Sequence, residues 1–177
     1  MAVAGVAYTG AVSSMHWLSA PAMLGCVGCV LEAQNHKGTS EQGVWMFRHK
    51  SLGLLTGLLV LPRLAIKLAS KAPEALRGSG AAEHAAAKLS HVALYGFMTV
   101  MPATGIAMGY FGGKGLPFFT TTFSGAQEPN GAVAKQAFGI HKQLGTYGKF
   151  LLPIHVGAAG LHAARGQAIF RRINPFA

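Results

Sequence analysis

Acidic residues are nearly absent from this chain of 177 residues: there are five, all of them Glu, and no Asp. Charge of either sign is scarce, at 11% of residues against 51% hydrophobic, and the mean hydropathy is +0.36. A water-soluble domain carries about 25% charged residues, so too few are present here to cover a water-facing surface. That deficit excludes an ordinary soluble domain and points to an integral membrane protein.

Cysteine is scarce as well. Cys26 and Cys29 both lie inside the first apolar run, which excludes a disulfide framework. The stretch "CVGC" is followed by Val30 rather than His, so the CxxCH pattern of covalent haem attachment is missing too. The two thiols read as small packing groups on a helix face. Residues 1–15 have neither the basic start of a signal peptide nor the Arg-rich pattern of a transit peptide, so no cleavable address is expected.

What is present is basic. Fifteen Lys and Arg give a net charge of +10. A nucleic-acid binder would gather them on one exposed face, whereas here most stand between apolar runs or at their ends. Anionic lipid headgroups or anionic groups of a cofactor suit that distribution, and nucleic acid is not an expected partner.

Four apolar runs cover about 11–31, 51–69, 89–110 and 142–164, and residues 2–7 could extend the first. Each is near the roughly 20 residues that cross hydrocarbon as a helix. Helices are required because backbone polar groups in lipid must be satisfied within the segment. The expected fold is all-α: a transmembrane four-helix bundle, multi-pass, forming one domain over residues 1–177. Two connections are short and polar. The third, residues 111–139, is long for a compact domain, and its "LPFF" is apolar enough to lie in the membrane interface or against a partner. The cations divide eight to seven in favour of the side that holds the termini, a narrow margin for cytoplasmic termini.

Eight histidines stand out against this background. His141 and His155 are 14 residues apart, almost four whole helical turns, so they share one face at depths about 21 Å apart. His162 continues nearly the same face about 10 Å further on. With alternating helix directions, His16 in the first span lies level with His155, and His49 at the start of the second lies level with His141. Two imidazole pairs at two depths suit metal centres stacked across a bilayer, and a haem between each pair is the simplest cofactor that uses them. Zinc or copper clusters fit less well, because no additional Cys or Asp accompanies the pairs.

The neighbouring cations fit the same scheme. Lys50, Lys142 and Arg48 flank the His49/His141 level. Arg63, 14 residues after His49 and next to Pro62, reaches the other level, where a haem propionate would accept a charge-assisted hydrogen bond. Snorkelling to the interface is the plain alternative for each cation. Lys149 lies within the fourth span about 80° off the ligand face, as a propionate partner or a snorkelling group. His91 reads as a packing group or a support for a ligand, and His36 and His84 as loop residues. At His162 a quinone headgroup could find a hydrogen bond and a proton.

The stretches "MHWLSA", "RHKSLGLL", "PRLAIKL", "HVALYGFMTVMPATG" and "HKQLGTYGKFLLPIHVGAAGLHA" together resemble the bacterial-type cytochrome b561 family, which overlaps the cytochrome b subunits of nickel hydrogenases. The resemblance spans about residues 14–172. It implies a four-helix membrane bundle with two low-spin haems b, each held by two histidines: His16 with His155, and His49 with His141. It also implies an energy-transducing membrane, either a bacterial or a mitochondrial inner membrane. Some members pass electrons from superoxide to ubiquinone, with a quinone near the position of His162. Others shuttle electrons between a dehydrogenase or hydrogenase and the quinone pool. The 111–139 connection, the tail "GQAIFRRINPF" and Lys149 have no counterpart in that pattern.

Three functions follow. The first is a di-haem electron carrier exchanging electrons with quinone, alone or within a respiratory assembly. The second is a superoxide:ubiquinone oxidoreductase with Arg48, Lys50 and Lys142 as its basic funnel. The third is a structural haem-bearing subunit that uses the aromatic connection to fill an interface.

Overall fold

The computed structural model describes residues 7–74, 76 and 78–176. The apolar residues 2–6 ahead of the first span, and Arg77 of the charge count, lie outside the described residues. Helix α1 covers Gly10–Asn35, α2 Glu41–Ala69 and α3 Ala81–Phe111. A hairpin of β1 (Leu116–Phe118) and β2 (Thr121–Phe123) follows, then α4 (Gly131–Gly148), α5 (Leu151–Ala164) and a 3-10 turn at Phe170–Ile173. Helix α1 packs on α2, α2 on α3, and α3 on both α4 and α5.

The interior and the exterior are chemically exchanged relative to a soluble bundle. Ser13, Ser19 and Ser51 are fully buried, whereas Leu61, Leu68 and Leu89 are 68%, 78% and 70% exposed. Small residues inside let the helix backbones approach, the usual driving geometry for helix association in lipid. Gly57 illustrates it, since a Cβ there would stand 3.0 Å from Cβ of Pro102 where α2 meets α3. Two of the buried hydroxyls are satisfied within their own helix, Ser19 donating to the Met15 carbonyl at 2.7 Å and Thr56 to the Leu52 carbonyl at 2.8 Å. Ser13 Oγ, by contrast, has no hydrogen-bond partner among the described residues. The apolar core is compact and joins all the long segments except α4, through Met23, Val60, Leu94, Phe97, Met98 and Leu152.

Several boundaries differ from the sequence expectation. Helix α2 begins at Glu41, so His49 sits two turns inside it rather than at its start, and α3 begins at Ala81, which places His84 in a helix rather than a loop. Polar residues extend both helices beyond the apolar stretch because helix formation needs backbone hydrogen bonds, not hydrophobicity. The expected single fourth span is divided between α4 and α5, and among the described residues only α1, α2 and α3 are long and apolar enough to cross a membrane. Pro153 explains the division, since it has no N–H to give the Lys149 carbonyl. Lys149 (φ −54, ψ −28) and Phe150 (φ −72, ψ −17) keep right-handed helical dihedrals, so the ladder is interrupted without the chain reversing. Asn130 caps the start of α4 by accepting from the Val133 amide at 3.1 Å, as Thr9 caps α1 through Val12 at 3.4 Å.

The all-α expectation also needs correcting at residues 111–139, where a two-stranded antiparallel hairpin pairs Leu116 with Phe123 and Phe118 with Thr121. Gly115 enters it at φ 74, and a Cβ there would collide with the Phe123 carbonyl, so glycine is required. The hairpin is fastened to α2 by one buried hydroxyl. Ser51 Oγ accepts from the Phe119 amide at 3.0 Å and donates to the Pro117 carbonyl at 3.4 Å. At the opposite end the tail closes over α1, with Trp17 Nε1 donating to the Ile173 carbonyl at 2.8 Å and the Tyr8 amide to the Arg172 carbonyl at 2.9 Å. Burial there pushes the Tyr8 phenol above its usual range, and the nearby Arg172 guanidinium partly opposes the rise.

Replacing Ser51 by Ala leaves the Phe119 amide without its partner, at a cost of about 1–3 kcal/mol. Amide hydrogen exchange should accelerate across residues 116–123 while α1 and α3 keep their protection; unchanged exchange at Phe119 would contradict this anchoring.

Candidate cofactor site between paired histidines

Imidazoles meet across the bundle at two places. His16 of α1 and His155 of α5 have ring centroids 6.3 Å apart with planes at 57°. His49 of α2 and His141 of α4 have centroids 6.2 Å apart with planes at 76°. A metal–imidazole bond is about 2 Å long, and adding the reach from ring centre to ring nitrogen on both sides gives about 6 Å. Both pairs therefore have the spacing that one metal ion held between two imidazoles requires. Among the described residues no set of three or more His, Cys, Asp or Glu is gathered as a metal cluster.

The tautomers at the His49/His141 level fit ligation through Nε2. His49 Nδ1 donates to the Cys26 carbonyl at 2.9 Å, and His141 Nδ1 donates to the Met101 carbonyl at 3.0 Å, with Thr104 Oγ1 at 3.1 Å. A proton fixed on Nδ1 leaves Nε2 with its lone pair free and orients the ring, the usual outer support of a metal-bound histidine. Cys26 is more than a packing group here. Its Sγ lies 3.3 Å from His49 Nδ1 and 3.4 Å from the His49 carbonyl, so thiol and backbone both brace that ring.

The His16/His155 level is built from side chains instead. Arg63 donates to His16 Nδ1 at 3.2 Å and to the buried Ser19 Oγ, and its guanidinium lies over the Tyr95 ring at 5.6 Å. His91 adds a third imidazole, edge-on to His155 with centroids 5.6 Å apart. Trp17 stands edge-on to His16 at 5.3 Å. The other cations named from the sequence do not enter a pair. Lys50, Lys142 and Arg48 are exposed, Arg48 lying over the Trp45 ring at 4.6 Å. Lys149 is half-buried with its ammonium 5.2 Å from the Phe150 ring centre. His162, in the last turn of α5, donates from Nδ1 to the Gln167 side-chain carbonyl, beside the Arg165–Glu83 ion pair of 2.7 Å. His36 lies in the α1–α2 turn, 3.3 Å from Glu41 and 3.7 Å from Glu32.

Sequence reasoning left open the role of His91 and did not anticipate the backbone carbonyls of Cys26 and Met101. Carbonyls leave no trace in residue type. His91 did leave one: it precedes Tyr95 by four residues, so both share a helix face, and that face meets Arg63 and His155.

The sequence profile of prokaryotic cytochrome b561 matches residues 7–175. The chain is 30% identical over 126 residues to cytochrome b561 homolog 1 of Escherichia coli (strain K12), a match that covers 71% of this chain and 72% of that relative. Apolar helices with an inverted interior, facing histidines and a match across nearly the whole chain agree: the protein belongs to the prokaryotic cytochrome b561 family, an integral membrane b-type cytochrome of electron transfer.

Proposed function

We propose that the chain is a di-haem carrier that moves electrons across an energy-transducing membrane to or from the quinone pool, as a subunit of a respiratory assembly or alone. The carrying observation is the pair of imidazole couples at 6.3 and 6.2 Å, each drawn from two different helices. In this reading His16 and His155 hold one haem b, and His49 and His141 hold the other. Haem supplies a reversible one-electron couple, and two imidazole ligands leave it no open position for oxygen.

The remaining residues then have definite tasks. The Cys26 and Met101 carbonyls keep the Nε2 atoms of His49 and His141 directed at the metal position. A ligating His16 carries its proton on Nδ1, where it faces Arg63, a group with donors only. Ligation therefore releases Arg63 to an anionic partner, and a propionate is the anion that this cofactor brings. Lys50 and Lys142 serve the other level from the exposed rim, toward propionates or lipid headgroups. His162, with its Nδ1 proton held by Gln167, offers Nε2 as an acceptor to a quinol hydroxyl or, once protonated, as a donor to a quinone carbonyl.

A second reading, a superoxide:ubiquinone oxidoreductase, draws on the exposed cations Arg48, Lys50 and Lys142 around the His49/His141 level. Such a rim attracts a small anion at a rate that falls with salt. Nothing specific favours a purely structural subunit.

Dithionite-reduced minus oxidised spectra of the purified chain should give low-spin b-type bands with two haems per chain. His155→Ala and His141→Ala should each remove one haem and keep the other; a single haem in the parent would contradict the pairing. His162→Ala should keep both haems and slow their oxidation by a ubiquinone analogue about tenfold, the scale of losing one proton-transfer or hydrogen-bonding partner; an unchanged rate would remove His162 from the quinone site.

A further inference from the structure

The two histidine levels are not equivalent in their electrostatics. At the His49/His141 level both Nδ1 protons go to backbone carbonyls, at 2.9 and 3.0 Å. A carbonyl that accepts the Nδ1 proton makes the imidazole a stronger donor to its metal, which favours the oxidised, more positive ion. The cations nearest that level, Arg48, Lys50 and Lys142, are exposed, so water, headgroups and salt screen them.

At the His16/His155 level the arrangement is reversed. Among the described residues no backbone carbonyl accepts from either ring, and a guanidinium stands 3.2 Å from His16 Nδ1. Arg63 lies within the apolar length of α2 between Ser19 and the Tyr95 ring, where its charge is poorly screened. A fixed positive charge beside a redox ion disfavours the oxidised form, whether the guanidinium faces the imidazole or neutralises a propionate. Lys149 lies between the levels, six residues from His155 and eight from His141, so it distinguishes them little.

We infer that Arg63 makes the His16/His155 level the stronger electron acceptor, so that the first electron taken up by the chain rests there rather than at the His49/His141 level. The inference rests on the two-haem reading above. It gives the bundle an internal direction, from the hairpin end toward the end that carries His162 and the tail. Arg63 acts through the ligands and the charge around them; no bond is made or broken.

The test is a spectroscopic potentiometric titration of the purified chain, after its haem count. Two haems per chain with two resolved components are expected, and the component absent from His155→Ala should be the one of higher potential. In Arg63→Gln that component should lose about tenfold in its reduction equilibrium, about 59 mV for a one-electron couple, as expected for one half-buried charge within about 10 Å at an effective dielectric near 20. Arg63→Lys should retain most of the difference, and in either variant the other component, about 20 Å away, should move by no more than about half as much. A higher potential for the component absent from His141→Ala would overturn the inference, as would an unchanged or raised potential in Arg63→Gln. If Arg63→Gln does not fold, the order of the two components in the parent chain decides alone. Fewer than two haems in the parent overturns the two-haem reading itself, which separates that failure from this one.

Discussion

An imidazole inside a hydrocarbon-facing bundle must find a partner, and that constraint organises the rest of this molecule. Leaving such a group unpaired in an apolar setting costs several kcal/mol. Here His49 and His141 find partners in backbone carbonyls and His16 in Arg63, and four rings stand so that each faces another across a helix boundary. The helices can come close enough because Ser13, Ser19, Ser51 and Gly57 replace bulk at their contacts. Large apolar side chains are displaced outward, where lipid receives them. The inverted surface and the paired histidines are therefore two consequences of one arrangement.

Much of this was legible in the sequence, and the legible part is the periodic part. A 14-residue interval returns to the same helix face, so His141 and His155 could be placed at two depths, and alternating helix directions brought His49 and His16 to meet them. Arg63 was legible for the same reason, standing 14 residues beyond His49. The illegible part is what depends on a distant or featureless atom. The hairpin holds because Ser51 binds Phe119, 68 residues away, and no local pattern in "LPFF" announces a strand. The carbonyls of Cys26 and Met101 brace two rings, yet every residue has a carbonyl. The division of the fourth span at Lys149 lay between these cases: Pro153 announces it, but an apolar run read by hydropathy alone conceals it.

The two ends of the bundle are finished differently, and the difference sets the two histidine levels apart. At the His49 end a hairpin is pinned to α2 by a buried hydroxyl, with exposed cations around it. At the His16 end the chain's own tail folds back on Trp17 and Tyr8, and charged groups are drawn into contacts such as Arg165 with Glu83. Backbone atoms fix the rings at one level and side chains at the other. That asymmetry gives substitutions at Arg63 and His91 room to adjust one level without disturbing its counterpart.

The central claim is that each histidine pair holds one haem iron. Anomalous X-ray scattering at the iron edge, from crystals of the purified protein, tests it most directly. The account predicts two peaks per chain, one between His16 and His155 and one between His49 and His141. A single peak, or iron bound at any other residues, would contradict it.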